Sequence, residues 1–394
     1  MHLRRASLTA ILTAVLFTAG TTAGVAAAAQ PAASAAPTAS AARAAAASSA
    51  RAGVPWDRVG PGWILAQDTT ARPGGGASGP VTLDLISPSG TRYQLARWSD
   101  SRFAPVLLAW SPDGKRALFQ VFSGKGGAEE LTLATGQAST FVLPGMANPI
   151  GYTTPDGLNI VAGRPSGNNT SLARYTLSGR LAHSLGTSTD GTVLYEPSGT
   201  EFLTGASHGL KLVGNDGTQI RTLPVPGTTT SSCTPVRWWT ASTVLASCEQ
   251  PHSDGPQLWL VPVSGARPQA LTPPRKVSSG DLGDLDAWTL PSGLYLQAAG
   301  PCAVLQIFKQ ARNGSITLVK VPHTEGDNDV LTALGARLLI RAPTSCIGSN
   351  SLLWFNPETG AEQWLIRAPA NQAGVTAALP FRSEERRVGK ECVP

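Results

Sequence analysis

Pro105–Phe122 reads PVLLAWSPDGKRALFQVF. Val106–Trp110 is an apolar run of strand length, Ser111-Pro112-Asp113-Gly114 is a turn, and Arg116–Phe122 is a second run. β-Branched and aromatic residues suit a pleated surface, while Pro and Gly set the turn dihedrals. The unit continues to Pro144. Glu130–Leu133 supplies a third strand, Ala134-Thr135-Gly136 a second turn and Thr140–Leu143 a fourth strand. Four short strands joined by tight turns within about 40 residues match one propeller blade.

The pattern recurs along the chain. Turns between first and second strands fall at Gly62, Gly114, Gly157, Gly199, near Ser242, at Gly293 and at Gly335. Turns between third and fourth strands fall at Gly90, Gly136, Gly179, Gly217, Gly265, Gly314 and Gly360. Two independent series give one count. The expectation is an all-β, seven-bladed β-propeller of four-stranded antiparallel blades, with six or eight blades as alternatives. A β-sandwich, or two small β domains, is the competing architecture, but neither needs turns repeated in register. Val375–Phe381 reads as a further inner strand, expected to close the ring in the first blade beside Pro55–Val59.

Ala109-Trp110-Ser111-Pro112-Asp113-Gly114-Lys115-Arg116-Ala117-Leu118-Phe119 resembles the repeat of TolB-like propellers, also called WD40-like or PD40 repeats. Thr154-Pro155-Asp156-Gly157 and Gln269-Ala270-Leu271-Thr272 are weaker echoes. The resemblance implies a propeller over about Val54–Phe381 and, for many relatives, protein–protein interaction. TolB carries an additional N-terminal domain, in whose place this sequence has only a low-complexity stretch.

The ends read differently from the middle. His2, Arg4 and Arg5 precede an apolar run ending in small residues, the order of a secretory signal peptide over residues 1–29. Residues 30–52 are an Ala/Pro/Ser spacer, expected to be disordered. Residues 53–381 form the single propeller. Residues 382–394 are a charged tail, and 382–392 resemble an in-frame translation of a sequencing-adapter oligonucleotide, so the tail is kept out of the fold reading. The formal charge of +6 belongs to these ends, since Arg4, Arg5, Arg43 and Arg51 lie in the leader and spacer and the tail is net basic. The remaining segment is close to neutral. Charge therefore gives no support for nucleic acid or an anionic membrane as partner. No stable membrane span is expected in the mature chain, which reads as a monomer.

Cys233, Cys248, Cys302 and Cys346 remain once the tail is excluded. An even number in an exported chain suggests two disulfides. Cys233 precedes the first strand of the fifth blade and Cys248 ends its second, so antiparallel pairing brings them together. Cys302 and Cys346 fall in equivalent loops of the sixth and seventh blades. Free thiols or swapped pairing are the alternatives.

Both turn series lie on one face of an up-and-down blade, and the longer loops lie on the other. Asp68–Gly79, Ser123–Ala128, Arg164–Thr170, Glu249–Gly255 and Pro343–Asn350 are among them. Loops carry binding more often than tight turns do, so the long-loop face is expected to act. Its candidate binding residues are His208, His252, Asp254, Asp281, Asp284, Asp286, His323, Glu325, Asp327 and Asp329. The acids invite comparison with Ca²⁺ sites, but their spacing matches no EF-hand loop, so no metal or other cofactor is assigned.

No nucleophile elbow, His-Glu-x-x-His or phosphate-binding glycine loop is present, and no catalytic residue is assigned. The expected function is a secreted, non-catalytic platform for an extracellular or envelope protein or glycan, with retention at the cell envelope as an alternative location. A propeller enzyme of the lyase, lactonase or glycosidase kind, with its site at the channel mouth, is the alternative function.

Overall fold

A computed structural model describes Arg51 and residues 53–70, 79–101, 104–121, 127–227, 233–249, 255–274, 283–299, 304–343, 350–368 and 374–381. The leader, the spacer up to Ala50, the tail, and Cys302 and Cys346 lie outside these residues.

Seven four-stranded antiparallel sheets form the ring. Blade 2 is β4 (Val106–Trp110), β5 (Arg116–Val121), β6 (Gly127–Thr132) and β7 (Ala138–Val142). Blade 3 is β8 (Asn148–Tyr152), β9 (Asn159–Ser166), β10 (Asn169–Thr176) and β11 (Leu181–Ser188). Blade 4 is β12 (Leu194–Tyr195), β13 (Glu201–Ala206), β14 (Gly209–Gly214) and β15 (Gln219–Pro224). Blade 5 is β16 (Cys233–Thr240), β17 (Thr243–Cys248), β18 (Gln257–Pro262) and β19 (Gln269–Ala270). Blade 6 is β20 (Asp284–Leu290), β21 (Gly293–Ala299), β22 (Leu305–Gln310) and β23 (Ile316–Val319). Blade 7 is β24 (Asp329–Leu334), β25 (Arg337–Pro343), β26 (Asn350–Phe355) and β27 (Glu362–Ile366).

Blade 1 joins the two ends of the ring. Its order is β28 (Val375–Pro380), β1 (Ile64–Thr69), β2 (Val81–Ile86) and β3 (Arg92–Trp98). The closing strand pairs antiparallel with β1, from Ile64 opposite Pro380 to Asp68 opposite Val375. Its partner is thus Ile64–Thr69 and not Pro55–Val59, because Trp56–Arg58 form a single 3-10 turn. Phe381 then packs edge-on against Trp110 of blade 2, with ring centroids 5.2 Å apart. The predicted Arg164–Thr170 loop is instead a tight hairpin, since β9 and β10 extend to Ser166 and Asn169 and Gly167 takes a φ of 61°.

The blades cohere through apolar cores and through a repeated backbone device. One core joins blades 1 and 2 through Leu83, Leu85, Leu107, Phe119 and Leu131. Each large apolar side chain buried this way contributes about 1.5–3 kcal/mol. The first strands of blades 1, 2, 3, 5, 6 and 7 each skip one residue in their pairing: Thr376, Leu108, Ile150, Val236, Leu285 and Leu331. A bulge frees backbone groups from the ladder and re-aims a side chain. Second-strand side chains of the preceding blade take up backbone groups beside these irregularities. Leu107 N donates to Gln67 Oε1 at 3.0 Å and Val330 N to Gln297 Oε1 at 3.0 Å. Ser247 Oγ donates to Asp284 O at 3.1 Å, and Arg341 Nη1 to Thr376 O at 2.9 Å.

Cys233 and Cys248 are directly opposed on β16 and β17 and form a disulfide, with Cα atoms 4.1 Å apart. This is the pairing expected from the antiparallel register.

Arg51, assigned to the spacer by composition, is buried at 5% exposure. Its Nη1 donates to Thr135 O at 3.0 Å and its Nη2 to Leu95 O, bridging blades 1 and 2. A Cβ on Gly136 would lie 1.5 Å from Arg51 Nη1, and Gly136 has a φ of 72°, so any other residue there would strain the backbone and displace the guanidinium. Arg51→Ala should lower unfolding free energy by about 2 kcal/mol, as expected for buried charged hydrogen bonds. Urea titration of the two proteins checks this, and equal midpoints would mean the bridge is dispensable.

Candidate functional site

Four of the skipped residues, Leu108, Ile150, Val236 and Leu331, fall opposite the same position of their second strands and form an aliphatic band at the channel, whereas Leu285 is skipped nearer the start of its strand. Leu108, Ile150, Val236 and Leu331 line the channel cavities, joined in blade 4 by Val193. All are partly buried. Blade 4 reaches this level with a first strand of two residues, and side chains replace the missing ladder. Gly205 N donates to Asp190 Oδ1 at 3.3 Å, and Thr204 Oγ1 to Thr192 O at 2.7 Å.

Two cavities open toward the tight-turn end, sharing Thr192, Val193, Leu331, Pro380 and Phe381. The one beside blades 2 and 3 has a volume of about 560 Å³ and reaches the turn residues Pro112, Thr154 and Pro197. The other, of about 620 Å³, is lined by the first strands of blades 5, 6 and 7 together with residues of blades 4 and 1, and it holds an arginine–aspartate pair. Arg237, one residue beyond the Val236 bulge, grips Asp286 of blade 6 with two hydrogen bonds. Nε donates to Oδ1 at 2.9 Å, and Nη2 donates to Oδ2. Ala287 N adds a bond to Oδ1 at 2.7 Å. The guanidinium carbon lies 4.4 Å from the centroid of the Trp288 ring. Such a fork combined with stacking suits Arg and not Lys. Burial pushes the Asp286 carboxyl above its ordinary range, while Arg237 pulls it back.

A second irregularity is confined to blade 5. The β16 register shifts again between Trp238 and Thr240, so Trp239 is skipped. Trp238 turns inward at 7% exposure and donates Nε1–H to Tyr195 O at 2.7 Å. Trp239 lines the cavity and stays half-buried. Two consecutive tryptophans thus take different places, Trp238 buried between blades 4 and 5 and Trp239 packed on the Leu245–Leu258 core while also lining the cavity.

The candidates chosen from sequence do not converge. Of the described candidates, Asp286 is the one that lines either of these two cavities. Asp284 is fully buried at the start of β20. Asp329 binds Arg341 Nη2 at 2.7 Å, and Asp327 accepts Leu305 N at 2.7 Å. Glu325 is exposed, and its N–H donates to Pro343 O at 2.9 Å. His208 and His323 adopt left-handed φ values of 69° and 55° in exposed turns, and His323 Nδ1 lies 3.2 Å from Glu362 Oε2. His252, Asp254 and Asp281 lie outside the described residues, as does much of the long-loop face. Among the described residues no three His, Cys, Asp or Glu side chains gather as metal ligands. No described helix is long and apolar enough to cross a membrane.

No family model matches the chain, and no curated protein matches it. Solved structures do. The likeness is one of fold. A prolyl endopeptidase structure aligns with a TM-score of 0.52 at 15% identity, over 82% of this chain and 54% of the enzyme, so the chain spans about half that enzyme's length. The β-propeller domain of the Trilobed protease from Pyrococcus furiosus aligns with a TM-score of 0.50 at 13% identity, over 77% of this chain and 95% of the domain. That domain has an open velcro topology, whereas here β28 seals the ring. TolB from Acinetobacter baumannii matches with a TM-score of 0.44 at 14% identity, over 81% of this chain and 66% of TolB.

A pH dependence follows from blade 1. Asp68 and Asp84 share Arg92, with Asp68 at 3.6 Å, and burial pushes the Asp68 carboxyl above its usual value of 3.8. The folded state therefore holds that proton more tightly than the unfolded chain. The Asp68 contribution is most favourable below the unfolded value and is lost as pH rises through the folded one. Asp68→Asn should raise the thermal midpoint at neutral pH and leave it unchanged at about pH 3.5. An equal shift at both pH values would rule out the linkage.

Proposed function

We propose that this chain is a binding propeller working outside the cytosol, taking its ligand into the tight-turn end of the channel. One observation carries the reading. A roomy cavity with an aliphatic floor presents a half-buried tryptophan beside a charge pair already closed on itself. Asp286 is held by Arg237 and by the Ala287 amide, so it serves orientation and recognition better than proton transfer. Sequence alone favours the long-loop face; the cavity geometry moves the proposed site to the opposite end. The Cys233–Cys248 disulfide supports an oxidising compartment.

The test is a thermal-shift screen of the full chain against a chemically diverse small-molecule panel, repeated on Thr332→Trp, which fills the cavity. Ligands should raise the wild-type midpoint and fail on the filled variant, and mass spectrometry should recover them unchanged. No hits, or hits indifferent to Thr332→Trp, would overturn the assignment. A chemically altered ligand would favour the enzymatic alternative.

A further inference from the structure

We infer that the ligand of the blade 5–6 cavity is a neutral saccharide, its ring stacked on Trp239 and its hydroxyls on the Arg237–Asp286 pair; this rests on the binding reading above. Three features select that chemistry. The first is the second bulge of β16. A strand gives up ladder pairing at Trp239, which rests against the Leu245–Leu258 core and lines the cavity. An indole face offers a flat apolar platform with a negative quadrupole, suited to the polarised C–H face of a sugar ring.

The second feature is charge. Arg237 and Asp286 neutralise one another and are, among the described residues, the only charged side chains lining this cavity. A charged ligand would bring an uncompensated charge into a partly desolvated wall, which is costly. A neutral ligand avoids that cost.

The third is hydrogen-bonding pattern. The fork consumes Nε–H and one Nη2–H, leaving the remaining guanidinium N–H groups as donors and the spare carboxylate lone pairs as acceptors. Donors and acceptors side by side suit hydroxyl groups, which do both. Thr289 and Thr332, on the neighbouring first strands, add hydroxyls to the same wall. A purely apolar ligand would leave this edge without partners.

Isothermal titration of the full chain with cellobiose, maltose and chitobiose, alongside open-chain sorbitol and anionic galacturonate, tests the inference. At least one neutral disaccharide should bind, with sorbitol and galacturonate at least about tenfold weaker. Trp239→Leu keeps an apolar side chain at a half-exposed position and should weaken the sugar about tenfold, the scale of one aromatic contact. Trp259→Phe, outside the cavity, should leave affinity unchanged. Asp286→Asn gives an independent arm: it keeps the side chain's shape, removes its negative charge and should allow galacturonate to compete. Binding of panel compounds but no neutral saccharide overturns this inference and leaves the receptor reading standing. Sugar binding indifferent to Trp239→Leu also overturns it. Failure of every ligand overturns both.

Discussion

A chain ending before Val375 is expected to lose its cooperative fold, not merely one strand. β28 covers β1 along its full length, and Val375 and Ala378 are buried in the core shared with blade 7. Without it, Leu65 and Ala66 lose their cover, β1 exposes a raw backbone edge, and the contact between Phe381 and Trp110 disappears. Gly114 loses a neighbour as well, since a Cβ there would lie 2.5 Å from Phe381. Each buried aliphatic group is worth about 1.5–3 kcal/mol, and whole domains are stable by only about 5–15 kcal/mol. Removing the strand therefore takes away much of the margin, opens the core that blade 1 shares with blade 7, and strips the Phe381 contact to blade 2. Tryptophan emission during urea unfolding should show a broad, early transition, and size-exclusion chromatography should show association through the open edge. A truncated chain that melts sharply, within a few degrees of the full one, would mean the ring stands without its seal.

Asp286→Leu is expected to cost about 3 kcal/mol, and Asp286→Leu combined with Arg237→Leu clearly less than the two single changes added together. The reason lies in what each change leaves behind. Arg237 is about a quarter exposed and is pressed against Trp288, so without its carboxylate it keeps a poorly solvated charge. Removing both partners removes that problem and leaves apolar groups beside an aliphatic girdle. Chemical denaturation of all four proteins gives the cycle. Additive effects would show that the pair is solvated well enough to be ignored.

The ring was legible because its signals are local and repeated. Ser111-Pro112-Asp113-Gly114 fixes a turn by its own hydrogen bonds, with Arg116 N donating to Ser111 Oγ at 2.9 Å and Lys115 N to Asp113 Oδ1 at 3.1 Å. Thr153 and Asp156 repeat the device in blade 3, where Asn159 N and Leu158 N are the donors. Periodicity of two and turn residues report such geometry directly.

The cavity was not legible, for two reasons. A bulge breaks the alternation that sequence reading relies on, so Val236 and Trp239 read as ordinary strand residues. The pairing of Arg237 with Asp286 crosses from one blade to the next, which no spacing within a blade reveals. The adjacent Trp238-Trp239 pair, on a strand that should alternate, was the one available hint. Acid-rich loops drew attention instead, yet Asp327 and Asp329 serve backbone and arginine contacts.

The Thr376 hydroxyl donates to the carbonyl of Gln67, a residue 309 positions earlier. A ribosome, or an export channel feeding the chain from its N-terminus, would thus deliver the last stave only after all the others. Until then the growing polypeptide has two unsatisfied flanks and no completed circle. Assembly must wait for contacts that are among the most distant in the molecule, a situation that slows folding and exposes sticky edges. Efficient production of this protein therefore calls for protection of the nascent chain until β28 has emerged.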